Sequence, residues 1–126
     1  MKCPCCSGKE YEACCAPYIE GREFPPTPEA LMRSRYTAFS QKNLKYIEET
    51  MAGEALTRYN RAEAKKQLKE TEYLRLDVLL SEEEGTQGTV QFVATFRYQG
   101  EEHLLHEIST FEKINGRWIY VKGNVS

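Results

Sequence analysis

Five cysteines stand between positions 3 and 15, as Cys3-Pro4-Cys5-Cys6 and Cys14-Cys15, and none follows in the rest of the 126-residue chain. Disulfides that stabilise a domain close long loops between distant parts of the chain, whereas bonds within this segment would tie it only to itself. In a reducing compartment, thiols clustered in a short polar stretch read as metal ligands. Structural zinc takes four soft donors in a tetrahedron, and two short groups separated by a loop supply them without a large fold behind them. Cys3 with Cys5 is one way to use the first group, and Cys3 with Cys6, at the ordinary two-residue spacing, is the other. Four thiolates saturate the ion, so one structural zinc is expected and no chemistry at the metal.

The elements around this cluster follow from periodicity. Residues 1–24 contain cysteine, glycine, proline and charge with no apolar repeat, so metal binding must supply most of their folding energy. Pro25, Pro26 and Pro28 make a stiff junction to a body expected over 25–126. Thr27 is a plausible N-cap with Pro28 at the first helical position, where a missing N–H costs nothing. Leu31, Met32, Tyr36 and Phe39 recur at helical spacing, and Leu44, Ile47 and Met51 follow Asn43, giving two helices ending near Gly53. Asn60 with Glu63 opens a third, through about Lys69.

The period then changes to 2. Leu74, Leu76, Val78 and Leu80 alternate with Tyr73, Arg75, Asp77 and Leu79, and Val90, Phe92, Ala94, Phe96 and Tyr98 alternate with Gln91, Val93, Thr95 and Arg97 after a Glu-Gly-Thr-Gln-Gly turn. Further strands are expected over 101–113 and 117–123, the last two joined by Asn115-Gly116, a strong hairpin signal. Helices first and a four-stranded antiparallel meander second make an α+β fold with the helices on one face of a curved sheet.

Two-residue turns at Gln99-Gly100 and Asn115-Gly116 would set Glu107 opposite Phe92, His103 opposite Phe96, Phe111 opposite Tyr120 and Lys113 opposite Trp118. One face then carries Phe92, Phe96, Leu105, Phe111, Trp118 and Tyr120 with His103 and Glu107 among them. The other carries Val93, Leu104, His106, Ile108, Ile119 and Val121, an apolar set expected to meet a second copy of the chain.

Composition narrows the function. A net charge of −2 with scattered Lys and Arg lacks the basic face of a nucleic-acid binder. No apolar run approaches the roughly 20 residues of a membrane span, and Met1-Lys2-Cys3-Pro4 has no signal-peptide character, so a cytoplasmic protein is expected. The 40% hydrophobic content suffices for one core.

Two stretches carry a family likeness. Cys3-Pro4-Cys5-Cys6-Ser7-Gly8-Lys9, then Tyr11, then Cys14-Cys15, resembles the SEC-C motif, a small zinc module of bacterial proteins and of the SecA motor. By position the resemblance implies Cys3, Cys5, Cys14 and Cys15 as ligands, Ser7, Gly8 and Lys9 as the turn, and Tyr11 as a cover. It departs from the motif at Cys6, where glycine is usual. Glu10 and Glu12 stand where copies that bind partners are lysine-rich, leaving residues 1–24 with three basic and four acidic side chains. Leu31-Met32-Arg33-Ser34-Arg35-Tyr36-Thr37-Ala38-Phe39 further resembles the YchJ-like family, which joins SEC-C to an NTF2-like domain. That likeness implies an NTF2-like cone, a curved sheet wrapped around a helix with a pocket between them.

Searched for an acid or base, the implied pocket offers Glu107 and His103 from the sheet and Arg33, Arg35 and Tyr36 from the first helix, with Phe92, Phe96, Trp118 and Tyr120 as walls. Unpaired, Glu107 would be a general base; paired with Arg33 or Arg35, the expected arrangement, it is inert scaffolding. No nucleophile-base pair, phosphate loop or open metal site is visible. These observations favour a non-enzymatic binding or adaptor protein for a protein partner, through the zinc motif, or for a small apolar ligand. The alternative is a lyase or isomerase with Glu107 as base and Tyr36 or His103 as donor, supported by fold analogy.

Overall fold

Thr27 has extended backbone and its Oγ1 accepts from the Ala30 N–H at 3.0 Å, so the longest helix starts with a satisfied cap and with Pro28 inside it. A computed structural model describes Met1–Ser126. A short 3-10 turn (Tyr11–Ala13) and α1 (Ala16–Ile19) precede α2 (Pro28–Ser40), α3 (Leu44–Glu49), α4 (Gly53–Thr57) and α5 (Arg61–Glu70). Four strands follow, β1 (Thr71–Glu84), β2 (Gln87–Tyr98), β3 (Glu101–Ile114) and β4 (Arg117–Val125), antiparallel and in the order β1-β2-β3-β4. Asn43 and Asn60 cap α3 and α5, accepting from the N–H groups of Tyr46 and Glu63.

α2 is buried nearly all round, with Leu31, Met32, Ser34, Arg35, Tyr36, Thr37 and Ala38 all inside. An amphipathic surface helix buries one stripe; this one has the cysteine segment on one side, the sheet on another and α3 on a third. Its polar residues are accordingly bonded, Ser34 Oγ reaching Leu31 O at 2.8 Å and the Tyr46 hydroxyl at 2.7 Å. Cys3, Cys5 and Cys15 share a single core cluster with Leu31, Met32, Phe92, Phe111 and Trp118. The cysteine segment and the body thus pack against each other, across a change in chain character at Pro25.

The sheet register is the expected one: Phe92 pairs with Glu107, Phe96 with His103, Phe111 with Tyr120 and Lys113 with Trp118. Gln99, Gly100, Asn115 and Gly116 all have positive φ, the type I′ signature that locks both hairpins. The first turn is shorter than its sequence suggested, Gly85-Thr86 alone, with Gln87 and Gly88 already in β2. Bulges between Tyr73 and Arg75 and between Val78 and Leu80 break the alternation of β1. They bring Tyr73 against Tyr36, at 5.7 Å between ring centroids, and leave Leu79 and Leu80 in solvent.

The outer face is less open than expected. Ile119 and Val121 are buried, and Val121 is covered by α4, where Gly53 approaches its Cβ. Thr50–Ala52 lies along the edge of β4, with Tyr120 N bonded to Thr50 O and Ala52 N to Tyr120 O, both at 2.9 Å. These bonds cap an otherwise free edge. Leu80, Leu104 and Ile108 remain exposed on the sheet.

Candidate metal centre and adjoining cavity

The sulfurs of Cys3, Cys5, Cys14 and Cys15 lie within 4.8 Å of one another, a group of donors able to hold a metal ion. Cys3, Cys5 and Cys15 are buried, and Cys14 is half-buried. A tight turn brings the two groups together: Cys3 N donates to Lys9 O at 2.9 Å, Lys9 N to Ser7 Oγ at 3.2 Å, and Gly8 has φ of 87°. Ser7 Oγ lies 3.2 Å from Cys14 Sγ, and Tyr11 packs against the cluster. Cys6 is outside the group, exposed, with its sulfur 3.6 Å from Pro4 O.

Cys6 has φ of 65°, the left-handed region in which a Cβ is strained. The usual glycine at this point of the motif therefore has a conformational reason. Cys6→Gly protein is expected to keep its metal content and gain about 1 kcal/mol of stability, read as a higher melting temperature.

The thiols divide their protons unequally. The hydrogen bond from Cys15 holds Cys5 far below the ordinary thiol value, at about 4. That same bond, together with burial, pushes Cys15 up, and burial raises Cys14. The cluster without metal therefore keeps protons that a bound cation must displace. The centre is also bonded from outside. Thr37, wholly buried on α2, donates its hydroxyl to Cys15 Sγ at 3.4 Å and lies 3.7 Å from Cys3 Sγ, while Arg33 Nη1 donates to Cys5 O at 2.8 Å. Contacts of this kind orient ligands and tune a metal. Neither residue's role was visible in the sequence, where Thr37 is one more helical position.

The opposite edge of α2 borders a cavity of about 260 Å³ between helix and sheet. Of the residues the sequence placed in a pocket, Arg35, Tyr36, Phe92, Glu107 and Tyr120 line it, together with Met32, Phe39, Gln67, Tyr73, Leu105, Ser109 and Phe111. Four residues that the sequence placed there do not: Arg33, Trp118, Phe96 and His103. Arg33 turns to the cysteine segment and pairs with Glu29 at 2.9 Å. Trp118 is sealed in the core cluster, because α2 and the cysteine segment fill that end of the cone. Phe96 lies toward the β2-β3 turn, stacked on His103 at 5.4 Å, and His103 itself is exposed. His106 projects to the outer face, beside Gln91 and Ser126.

The pairing expected of Glu107 with an arginine is absent. Its Oε2 accepts from Ser109 Oγ at 2.5 Å and from the Tyr120 hydroxyl at 3.4 Å, and none of the ion pairs within 4.0 Å involves it. Residues two apart on a helix point in different directions, so Arg33 and Arg35 cannot both face the sheet. Arg35 faces it but is held by the Ile47 carbonyl at 2.9 Å and Thr50 Oγ1 at 2.6 Å, and its guanidinium lies 4.6 Å over the Tyr120 ring. Burial lowers Arg35 to about 10, still cationic at neutral pH.

Gly123 explains how the carboxylate fits. Its φ is not positive, yet a Cβ there would come within 2.3 Å of the Tyr120 hydroxyl and 2.7 Å of Glu107 Oε2. This glycine supplies room, not backbone freedom, and sequence alone marked it only as a strand end.

Burial pushes Tyr46, Tyr73 and Tyr120 up from 10.0 to about 12, with the Glu107 charge adding to the shift at Tyr120. Tyr120 thus stays protonated, and its hydroxyl donates a hydrogen bond to Glu107 Oε2. A tyrosine raised in the fold contributes stability that is complete below its unfolded value and lost as pH rises through the folded one. Unfolding is therefore expected to become progressively easier between pH 10 and about 12, read by denaturant titration alongside tyrosinate absorbance. Arg35 acts in the opposite sense in this window, one group against several, since Tyr18, Tyr36 and Tyr59 are raised by burial as well.

The family model for YchJ, middle NTF2-like domain, matches residues 27–123. A UPF0225 protein of Serratia proteamaculans (strain 568) is 39% identical over 125 residues, covering 96% of this chain and 81% of that protein. The chain belongs to the YchJ-like family. Among solved structures, a SEC-C motif containing protein from Rhodopseudomonas palustris is 41% identical with a TM-score of 0.92, covering 100% of this chain and 99% of the other. Another, from Psychrobacter arcticus, is 28% identical with a TM-score of 0.83, over 98% and 82%. Both are described as containing a SEC-C motif, which fits metal binding by the cysteine cluster. No helix is long and apolar enough to cross a membrane.

Proposed function

We propose that this YchJ-like protein is a non-enzymatic binding protein of the cytoplasm, in which one structural zinc ion fixes the wall of a cavity for a small, mostly apolar ligand. The observation that carries it is the double use of α2. One edge gives Arg33 and Thr37 to the cysteine centre, and the other gives Met32, Arg35, Tyr36 and Phe39 to the cavity. Zinc suits the centre because thiolates at about 2.3 Å from the ion form a tetrahedron with edges of about 3.8 Å. The separations Cys5–Cys14, 3.6 Å, and Cys14–Cys15, 3.9 Å, agree with such edges. With four thiolates bound the ion has no open position, so its work is to hold structure. Within this proposal the exposed side of the cysteine segment is the place for a protein partner, and Leu80, Leu104 and Ile108 are the place for a second copy of the chain.

The test is zinc analysis of untagged protein followed by chelation. One zinc per chain is expected, and its removal should lower hydrogen-exchange protection along α2. Full protection of α2 in the stripped protein would separate the metal from the cavity and end this reading.

One observation favours a second reading, a lyase or isomerase using Glu107 as general base: the carboxylate has no arginine partner. Exchange of the α-hydrogens of a small apolar ketone in deuterated water, followed by NMR, tests it. Exchange above background that disappears in Glu107→Gln protein supports catalysis; background rates in both leave the binding protein.

A further inference from the structure

Two opposite charges line this cavity without forming a salt bridge with each other. Ser109 and Tyr120 both donate to Oε2 of Glu107, so Oε1 has no hydrogen-bond partner. Arg35 spends Nη1 on Ile47 and Thr50, so Nε and Nη2 have none. None of these free atoms is sealed in the protein, where the only buried polar side-chain atoms without partners are Arg117 Nε and Trp118 Nε1. Both side chains line the cavity, and no ion pair within 4.0 Å joins them. A charge removed from water is costly until a partner is supplied. Here the protein leaves one acceptor and one cationic donor on the same aromatic-walled space.

Resting on the binding reading above, we infer that the cavity takes a small zwitterion with an apolar body, its ammonium group on Glu107 Oε1 and its carboxylate on Arg35. An apolar carboxylate without an ammonium group would satisfy Arg35 but sit near the unpaired Glu107 charge. An apolar amine would satisfy Glu107 but face the guanidinium. Only a molecule with both groups meets both ends and brings no net charge into the site. Phe92, opposite Glu107, and the rings of Tyr36, Phe39 and Tyr73 provide walls for the apolar body. Gly123 gives the arrangement the mark of a built site, since any side chain there would displace the carboxylate and its tyrosine. The volume of about 260 Å³ falls below the ~300–1,000 Å³ of pockets for drug-sized ligands, and so suits a molecule of free amino-acid size.

Calorimetry on the metal-loaded full chain tests this with L-leucine and L-phenylalanine, the corresponding acids lacking the amino group, the corresponding amines lacking the carboxylate, and the corresponding neutral alcohols. The amino acids should bind about tenfold or more tighter than either single-charge analogue, the effect of one charge-assisted hydrogen bond. Glu107→Gln protein, nearly isosteric, should lose the preference for amino acid over acid while still binding the acid. Amino acids binding no tighter than their analogues, or a preference that survives Glu107→Gln, overturns the inference. If only the neutral alcohols bind, the cavity is a ligand site but the zwitterion is wrong. If nothing binds, the ligand-binding reading falls with it.

Discussion

Cys5→Ser protein is expected to bind no zinc and to melt far below the parent, whereas Cys6→Ser protein keeps its zinc and its melting temperature. The two positions are adjacent, and their environments decide the outcome. Cys5 is fully buried, its sulfur is 3.6 Å from Cys14 Sγ, and its carbonyl holds Arg33. Cys6 is exposed and has no thiol neighbour among its contacts. Structural zinc sites in small peptides contribute about 10 kcal/mol or more of apparent binding energy, which the cysteine segment needs to fold. Part of that loss is recovered here because the segment also packs on α2. We expect a residual cost of about 3–5 kcal/mol, comparable to breaking a buried pair. For a domain of this size that is a fall of about 10 °C or more. Zinc released to a chromophoric chelator and thermal melting by circular dichroism read the two effects separately. Zinc retained by Cys5→Ser protein and lost from Cys6→Ser protein would reverse the ligand assignment.

The fold was legible where a local signal had one physical solution. Gln99-Gly100 and Asn115-Gly116 can each turn a strand in two residues, and once they do, Phe92 facing Glu107 follows by counting from the first and Lys113 facing Trp118 from the second. Thr27 and Pro28 likewise have one obvious use. Signals that depend on a distant partner were not legible. The β1 bulges that turn Tyr73 into the cavity reflect pairing with β2, not the residues of β1 alone. Trp118 shares the inward face with Tyr120, but the end of the cone where it lies is filled by elements read separately. The cysteine centre was readable as a cluster because metal chemistry constrains residue type. Its support by Thr37 and Arg33 was not, since a hydroxyl and a guanidinium on a helix have many ordinary uses. The same holds for Glu107, whose partners proved to be two hydroxyls made reachable by a glycine in the next strand.

Gly88→Ala should disturb both halves of the site without touching either. Gly88 sits in β2 beneath the start of α2, and a Cβ there would come 2.3 Å from Pro28 Cγ, 3.1 Å from Pro28 Cβ and 3.2 Å from Glu82 O. The end of a flexible side chain could swing away from such a contact. A proline ring at the first position of a buried helix cannot, and the third neighbour is backbone. The relief is a shift of the α2 N-terminus away from the sheet, at the ~1–3 kcal/mol or more typical of overpacking. α2 carries Arg33 and Thr37 on one edge and Arg35 and Tyr36 on the other, so its movement should reach metal and cavity together. The expected result is a lower melting temperature, faster zinc loss to a chelator and altered amide shifts in both groups of residues. A variant with parental stability and shifts confined to β2 would show that α2 does not couple the two.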